Sequence, residues 1–501
     1  MKNKTGVCRA LLLVGMGLMI PCYLFTAGNT LLSPWPLYDR NRLALCLLTP
    51  LCLLLLLLLG RAAKAKVFET HERAVLLGFA AFYFVIQLVM ASALRFTPVT
   101  DLEQCVTAAR CLAQTGAFGD SERSLIYFGR YPHNMGLVYL LAGIFKAADA
   151  LGADELMAAA LVCGLLFSMG LLCAARLCRR LGGAQAQARA LLLFATCLPF
   201  LYCTSELYTD AFSVAFAPMI VFAFLKVRDA GSRKERSLWA LLFAVCTFFG
   251  AQIRFPTIIA AIACLIAALF EKRAKLTALL AAPLALVFAV GGSAVNAANK
   301  ANLGAANIAQ NKLPKLHYIA MGLPVQSDEG YGQYGYGGWL IFSTSFDDPQ
   351  ARDEALRQEV VDRAYTLAHH PAQLLSTLSR KNLSTFGRGT FNLNEIFEAD
   401  AHEANNAVKQ AVFENGRFNR AYTHLATAMF VAQMVLACTA CIQAIRRRDT
   451  RAAPLFLTLL GAFLFLSIWE TRARYFFQFM MILLCAGAMF ETPSTHAAQK
   501  A

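Results

Sequence analysis

Charged residues are scarce in this 501-residue chain. Asp, Glu, Lys and Arg make up 15% of the sequence, whereas 58% is hydrophobic. Soluble domains carry about a quarter of their residues as charges, so this composition excludes an ordinary soluble protein. Apolar runs of about 20 residues recur along nearly the whole sequence, and each is long enough to span a bilayer as a helix. The chain is therefore predicted to be an all-α polytopic membrane protein.

Several familiar catalytic motifs are also missing. The sequence has no glycine-rich phosphate loop, no H-E-x-x-H and no G-x-S-x-G, so it gives no sign of nucleoside triphosphate use or bound zinc. Most of the sixteen cysteines lie in apolar runs and are interpreted as small core residues. Cys438 and Cys441 have no second C-x-x-C to complete a metal site. The spacing of Cys105 and Cys111 suits a disulfide poorly if their segment is helical.

The net charge of +15 does not indicate a nucleic-acid partner. The basic residues cluster in short loops between the apolar runs, and the positive-inside rule of membrane topology explains that distribution better. We therefore expect the lipid bilayer, and no nucleic acid, as a partner.

Twelve membrane spans are predicted from the apolar runs. Their approximate bounds are 8–27, 43–60, 74–94, 154–177, 187–203, 208–226, 237–252, 256–270, 276–297, 421–444, 453–469 and 475–491. With this register both termini and every strongly basic short loop lie in the cytoplasm. The apolar segment 135–148 is short and is predicted to be a surface or re-entrant helix, since a full crossing would invert the later basic loops. A short tilted span is the alternative.

The same register divides the chain into three parts. Residues 1–297 form a transmembrane catalytic module with an outer catalytic loop at 95–153, and 421–501 form the C-terminal transmembrane helices. The stretch 298–420 is predicted to be an extracytoplasmic region of mixed or mainly helical structure. It begins with a Gly/Tyr-rich loop around Tyr331, Tyr334 and Tyr336 and continues with a helix from Pro349 to Phe386 that is broken near Pro371.

Two groups of candidate site residues lie in the outer catalytic loop. Asp101 and Glu103 follow the third span, where a partly desolvated carboxylate can act as a general base. The alternative is that these acids only mark a helix N-terminus. Tyr131, His133 and Asn134 form a polar and aromatic motif that suits sugar or phosphate binding. An interfacial aromatic belt is the alternative.

A third group lies in the turn between the fifth and sixth spans. Glu206, Tyr208 and Asp210 put two carboxylates into a tight turn near the membrane surface. Capping of the next helix by Thr209 or Asp210 would explain the same residues.

Three arginines break the positive-inside trend: Arg254, Arg472 and Arg474. A shared anionic lipid phosphate would explain all of them, whereas an ion pair with Glu470, or snorkelling, explains fewer. If they share a phosphate, Arg254 is expected within about 10 Å of Arg472 or Arg474, and both should face a cavity that contains Asp101.

The ordered series of these motifs resembles the GT-C class of membrane glycosyltransferases, and within it the bacterial branch related to protein mannosyltransferases (glycosyltransferase family 39). The matching segments are Asp101-Leu102-Glu103, Tyr131-Pro132-His133-Asn134-Met135-Gly136, Tyr208-Thr209-Asp210, Arg254-Phe255-Pro256-Thr257 and Glu470 to Tyr475. The resemblance covers most of the chain. The catalytic loop follows the third span here and not the first, so the chain has an extra N-terminal hairpin, and 298–420 matches no known acceptor domain.

The resemblance implies an inverting transferase that takes a sugar from a polyprenyl-phosphate donor and places it on an acceptor glycan, lipid or protein. Asp101 would be the general base, and Arg254, Arg472 and Arg474 would stabilise the leaving phosphate. The substrate-binding residues would be Glu103, Tyr131, His133, Asn134, Glu206, Tyr208 and Asp210. No cofactor is expected, and a divalent cation on Asp101, Glu103 and Asp210 is the less favoured alternative. The alternative function is a flippase for lipid-linked sugars or another polytopic transporter of cell-envelope precursors.

Overall fold

The computed structural model describes residues 2–35, 41–63, 65–94, 97–119, 121–326, 329–393, 397–398, 407–413 and 416–491. The first helices are α1 (Lys2–Leu32), α2 (Arg42–Ala62), α3 (Ala65–Thr70), α4 (Glu72–Leu94), α5 (Thr100–Thr115), α6 (Glu122–Arg130), α7 (Met135–Ala150), α8 (Glu155–Ala195), α9 (Thr209–Ser213), α10 (Phe216–Asp229) and α11 (Arg233–Ile253). They are followed by α12 (Ile258–Phe270), α13 (Ala274–Leu303), α14 (Ala305–Asn311), α15 (Lys315–Gly322), α16 (Trp339–Thr344), α17 (Pro349–His369), α18 (Pro371–Phe386), α19 (Ala407–Val412), α20 (Asn419–Arg446), α21 (Ala453–Ile468) and α22 (Met480–Ala488).

The all-α polytopic fold is confirmed. Within the described residues, eight helical segments are long and apolar enough to cross a membrane: Gly6–Leu32, Arg42–Ala62, Glu72–Leu94, Glu155–Ala195, Thr209–Asp229, Arg233–Ile253, Ala274–Leu303 and Asn419–Arg446. Three shorter apolar segments are Phe255–Phe270, Ala453–Ile468 and Ala473–Ala488. Many of their apolar side chains point outward, as lipid-facing helices require. The one described strand pair joins Thr97–Pro98 to Phe397–Glu398 in antiparallel register.

The predicted fourth and fifth spans, 154–177 and 187–203, correspond to two helical limbs of α8 that meet at Gly182 and Gly183, where the backbone is not helical. The limbs run in opposite directions along α4: Gly164 and Ser168 lie at Phe84 and Ala80, whereas Gln187 and Phe194 bond to Glu72 and Tyr83. Gly183 has a φ of +73°, a conformation that glycine adopts without steric cost. The chain then leaves the α-helix for two 3-10 turns, Leu198–Leu201 and Cys203–Ser205, the first of which contains Pro199. A proline cannot donate its backbone nitrogen to an α-helix, so the helix ends before it.

The predicted catalytic loop carries three helices, α5, α6 and α7, between α4 and α8. The predicted helix of the 298–420 region is confirmed as α17 and α18, which break at Pro371. The Gly/Tyr-rich stretch is a series of turns, and α15, α16 and α17 bury a small second core around Tyr318, Trp339 and Leu356. Residues 394–396 and 399–406 of this region, like Arg95 and Phe96 of the loop, lie outside the described residues. Cys105 and Cys111 are both free thiols.

Candidate active site

A buried carboxylate, Asp210, joins two arginines from distant parts of the chain. Arg254 lies between α11 and α12, and its Nε is 3.0 Å from Oδ1 of Asp210. Arg474 lies in the 3-10 helix before α22, and its Nε is 3.3 Å from Oδ2 of the same carboxylate. Two guanidinium groups on one carboxylate are necessarily within the predicted distance of about 10 Å of each other. Asp210 is a counterion for both arginines, an ion pair that the sequence analysis did not consider, so their convergence does not by itself indicate an external anion.

Aromatic rings and a hydroxyl also contact the two guanidinium groups and hold them in place. Arg254 donates from Nη1 to the Thr209 hydroxyl at 2.7 Å, and its Cζ lies 4.3 Å from the ring centroid of Tyr475. Arg474 lies over the ring of Tyr208 at 5.6 Å. Cation–π contacts of this kind are strongest where water is excluded. Thr209 therefore contacts Arg254, and the interpretation of Asp210 as a mere helix cap does not account for its two ion pairs.

Asp101 lies beside this pair and is reached by solvent. It occupies the first turn of α5, and its side chain is 42% exposed, whereas that of Asp210 is 0% exposed. Its Oδ1 accepts a hydrogen bond from the Tyr127 hydroxyl at 2.7 Å and its Oδ2 one from the Tyr208 hydroxyl at 3.5 Å. Arg474 Nη2 is 4.0 Å from the same Oδ2. An accessible carboxylate next to a guanidinium is thus the open side of the cluster.

The Tyr131–Asn134 motif of the catalytic loop lies partly at the same cluster. Asn134 donates to the Tyr127 hydroxyl at 3.0 Å, so it supports the partner of Asp101. Tyr131 shares a 2.7 Å hydrogen bond with Tyr334. Although solvent reaches the His133 ring, its crowded surroundings and the charge of Arg254 lower the pKa of His133 to about 4, so this imidazole is neutral at physiological pH.

Glu103 and Arg472 are less directly involved. The Glu103 side chain is exposed, and a residue two positions from Asp101 on a helix faces another direction. Arg472 donates from Nη2 to the backbone oxygen of Tyr334 at 3.2 Å. Arg472 is therefore tied to the Gly/Tyr-rich loop, while Arg254 and Arg474 form the central pair.

Two further carboxyl groups are buried around the arginines. Burial, reinforced by the charge of Asp210, raises the pKa of Glu206 well above its ordinary value and so favours its uncharged form. Its carboxyl makes no well-formed hydrogen bond among the described residues, although the Ala211 amide is close enough to oppose the shift. Burial also raises the pKa of Glu470, opposed by a hydrogen bond from Tyr475 and by nearby arginines. Burial thus disfavours the charged forms of both Glu206 and Glu470 beside the arginines.

The backbone is strained on both sides of this cluster. Thr100, which precedes Asp101, has a φ of +53°, and Leu207, which lies between Glu206 and Tyr208, has a φ of +47°. Such conformations cost non-glycine residues on the order of 1–2 kcal/mol each and persist only where the surroundings impose them. Strain at two separate points of one cluster is typical of a functional site.

The start of α7, directly after the Tyr131 motif, packs closely against the backbone that precedes Arg254. A Cβ at Gly136, directly after the Tyr131–Met135 motif, would lie 2.3 Å from the backbone oxygen of Gln252, two residues before Arg254. Only glycine allows the start of α7 to meet the end of α11 at this distance.

The sequence reasoning missed several residues that complete the site. Tyr127 donates a hydrogen bond to Asp101, the Tyr475 ring packs against the Arg254 guanidinium, and the Tyr334 hydroxyl is hydrogen-bonded to that of Tyr131. Tyr127 lies shortly before the Tyr131 motif, Tyr475 is the last residue of the Glu470–Tyr475 segment, and Tyr334 stands among glycines. Which partners they contact depends on the tertiary fold. Among the described residues no three His, Cys, Asp or Glu side chains are grouped so that they could hold a metal ion, and Asp101, Glu103 and Asp210 form no such group.

The apolar helices and the buried charged cluster define an integral membrane protein with one polar site built from several helix ends. The chain belongs to a family described as conserved hypothetical integral membrane protein, whose model matches residues 42–495. Neither a curated protein nor a solved structure matches the chain.

Proposed function

We propose that this protein is an inverting membrane glycosyltransferase. It moves a sugar from a polyprenyl-phosphate donor to an acceptor hydroxyl, as the resemblance to GT-C enzymes implies. The active site is on the extracytoplasmic side and both termini are cytoplasmic, in keeping with the clustering of basic residues in short loops on the opposite side. One observation carries the proposal: the solvent-reachable carboxylate of Asp101 lies 4.0 Å from Arg474, which shares Asp210 with Arg254.

Asp101 has the surroundings that a general base needs. Tyr127 and Tyr208 donate hydrogen bonds to its two oxygens and fix its orientation, while part of the side chain remains open to a substrate. In the reaction the acceptor oxygen attacks the anomeric carbon as its proton passes to Asp101. The bond between that carbon and the phosphate oxygen breaks, and polyprenyl phosphate leaves with the bonding electrons through an oxocarbenium-like state.

Arg254 and Arg474 suit the leaving phosphate. Its negative charge grows as the glycosidic bond breaks, and fixed cations in a site of low polarity stabilise such charge without reorganisation. Asp210 holds both groups through Nε. Together the two guanidinium groups carry about ten N–H donors, more than the roughly four lone-pair sites of one carboxylate can accept. The pairing with Asp210 therefore orients the arginines and does not exhaust their capacity for an anion.

An apolar groove between three helices suits the donor's lipid chain. It has a volume of about 240 Å³ and is lined by residues of α1, α18 and α21, including Phe25, Leu378 and Phe463. Lys381 lies on its wall and donates from Nζ to the backbone oxygen of Trp469 at 2.8 Å, next to Glu470. A polyprenyl tail in this groove would bring its phosphate toward the arginines.

The proposal is tested with purified protein in liposomes. Polyprenyl-phosphate donors carrying radiolabelled mannose, glucose, galactose or N-acetylglucosamine are presented together with envelope extracts as the acceptor source. Covalent transfer of label, with release of polyprenyl phosphate, is expected with at least one donor. Movement of the intact donor between leaflets without cleavage would instead identify a flippase, and neither activity with any donor would overturn the proposal.

A further inference from the structure

A row of aromatic rings leads away from the residue that donates to Asp101. Successive ring centroids along it are 5.0, 6.1, 6.3 and 5.1 Å apart, in the order Tyr127, Tyr131, His133, Tyr318 and Trp469. Tyr131 and Trp469 are half-buried and His133 is exposed, so ligands can reach part of the row. Aromatic faces next to polar groups are typical of surfaces on which sugar rings stack. The row therefore supplies a surface for a ligand directly beside the proposed base.

Packing alone explains much of this row but not the hydroxyl of Tyr318. Tyr318 is 9% exposed and its ring stacks on Trp469 at an interplanar angle of 15°, as a core residue would. Its hydroxyl, however, is buried and has no hydrogen-bond partner among the described residues. Most buried polar groups are hydrogen-bonded, and an exception points to a function or to a missing partner. A phenylalanine would serve the packing without this cost.

The surroundings of that hydroxyl are polar. Burial and the nearby carboxyl of Glu470, together with the neighbouring Tyr131 and Tyr334, raise the pKa of Tyr318 far above its ordinary value, so it remains a proton donor. The Tyr131 and Tyr334 hydroxyls bond to each other at 2.7 Å. Three phenolic hydroxyls and a carboxyl thus meet at the edge of an aromatic row. A molecule with a flat apolar face and several hydroxyls matches this arrangement, whereas a lipid tail would offer the Tyr318 hydroxyl no hydrogen-bond partner.

We propose that Tyr131, Tyr318, Tyr334 and Trp469 form an acceptor subsite for a sugar ring, and that the acceptor is therefore a glycan. The role of the glycan as acceptor rests on the proposed function, whereas the binding of a glycan to this subsite does not depend on it. A sugar ring stacks on the row, one of its hydroxyls accepts from Tyr318, and another takes the place of one partner in the Tyr131–Tyr334 pair. The hydroxyl to be glycosylated then faces Asp101.

Binding of the purified protein to an array of bacterial surface glycans tests the subsite without any donor. Wild type should bind at least one glycan, and Tyr318→Phe should bind it about 5- to 10-fold more weakly, the loss expected for one hydrogen bond. Tyr365→Phe is the matched control, because Tyr365 is 64% exposed on α17 and packs on His369. It should bind like wild type. Since no described residue pairs with the Tyr318 hydroxyl, Tyr318→Phe should unfold at the same temperature as wild type or higher.

The outcomes separate this inference from the proposed function. Glycan binding that depends on Tyr318 but without any sugar transfer would leave the subsite standing and overturn the transferase. Sugar transfer to a peptide or lipid, with no binding to any glycan on the array, would overturn the subsite and leave the transferase standing. A lowered unfolding temperature of Tyr318→Phe with unchanged glycan affinity would show that the hydroxyl is structural and would also overturn the subsite.

Discussion

Replacing Asp210 by Asn should destabilise the protein strongly. The Asp210 carboxylate is fully buried, and Arg254 and Arg474 pair with its two oxygens at 3.0 and 3.3 Å. Asn has the same shape but no charge, so two buried guanidinium groups would face each other without their shared counterion. Removal of one partner from a buried ion pair costs about 3–5 kcal/mol, and we expect a loss of that size.

The chain offers a matched control for this substitution. Asp229 is also shared by two arginines, Arg180 at 2.9 Å and Arg228 at 3.1 Å, but its side chain is 38% exposed. Exposed ion pairs contribute about 0–1 kcal/mol, so Asp229→Asn should change stability little. Thermal unfolding in detergent can be followed with a thiol-reactive dye, because many of the free cysteines are buried and become reactive only when the protein unfolds.

A double-mutant cycle then tests the pairing itself. Arg474→Gln alone should destabilise the protein, but it should cost much less, or even restore stability, when Asp210→Asn is already present, because it removes one of the uncompensated charges. Equal losses for Asp229→Asn and Asp210→Asn would refute the reasoning, as would strictly additive effects of the Asp210 and Arg474 substitutions.

Two more predictions concern topology and pH. Cysteines introduced at Ser121 and Ser345 in a cysteine-free protein should both react with a membrane-impermeant maleimide added outside intact cells, because both positions are exposed and the basic loops assign them to one side. Labelling of only one would mean that α7 crosses the membrane. The unfolding temperature of wild type should rise between pH 7 and pH 10, and that of Lys381→Met should rise less. Burial lowers the pKa of Lys381 from 10.5 to about 7. The cost of burying the charged amine, about 5 kcal/mol, is therefore fully present below pH 7 and disappears as the pH rises toward the pKa of the unfolded state. Equal dependence of the unfolding temperature on pH in wild type and Lys381→Met would contradict this role of Lys381.

Local signals in the sequence predicted the parts of the fold that depend on local physics. Pro371 breaks the helix of the 298–420 region where it was expected to, because a proline cannot continue a helix. The helix N-terminus at Asp101, given as the alternative explanation of that acid, is present as well. The break between the predicted fourth and fifth spans is present at Gly182 and Gly183, but the second helix ends at Ala195 and not at 203. Apolar content distinguishes apolar from polar stretches, but it does not fix where a buried helix ends.

The sequence indicated several residues of the cluster, but not which of them contact each other. The convergence of Arg254 and Arg474 followed from their breach of the positive-inside trend, since both charges need a partner. That the partner is Asp210 could not be read from the sequence, because the three residues lie on separate elements far apart in the chain. Glu103 shows a second limit: it was grouped with Asp101 as a substrate-binding residue, but the geometry of α5 exposes Glu103 and brings only Asp101 to the cluster.

The most direct test of the proposed transferase compares sugar transfer by wild type, Asp101→Asn and Glu103→Gln. Each purified protein is given the labelled donor that wild type uses, and the anomeric configuration of the product is read by NMR. We predict an inverted product from wild type and from Glu103→Gln, and a fall in turnover of roughly two to four orders of magnitude for Asp101→Asn, the usual effect of losing a general base. Donor binding should be unchanged in that variant. Turnover near wild type in Asp101→Asn, or a product with retained configuration, would contradict the mechanism.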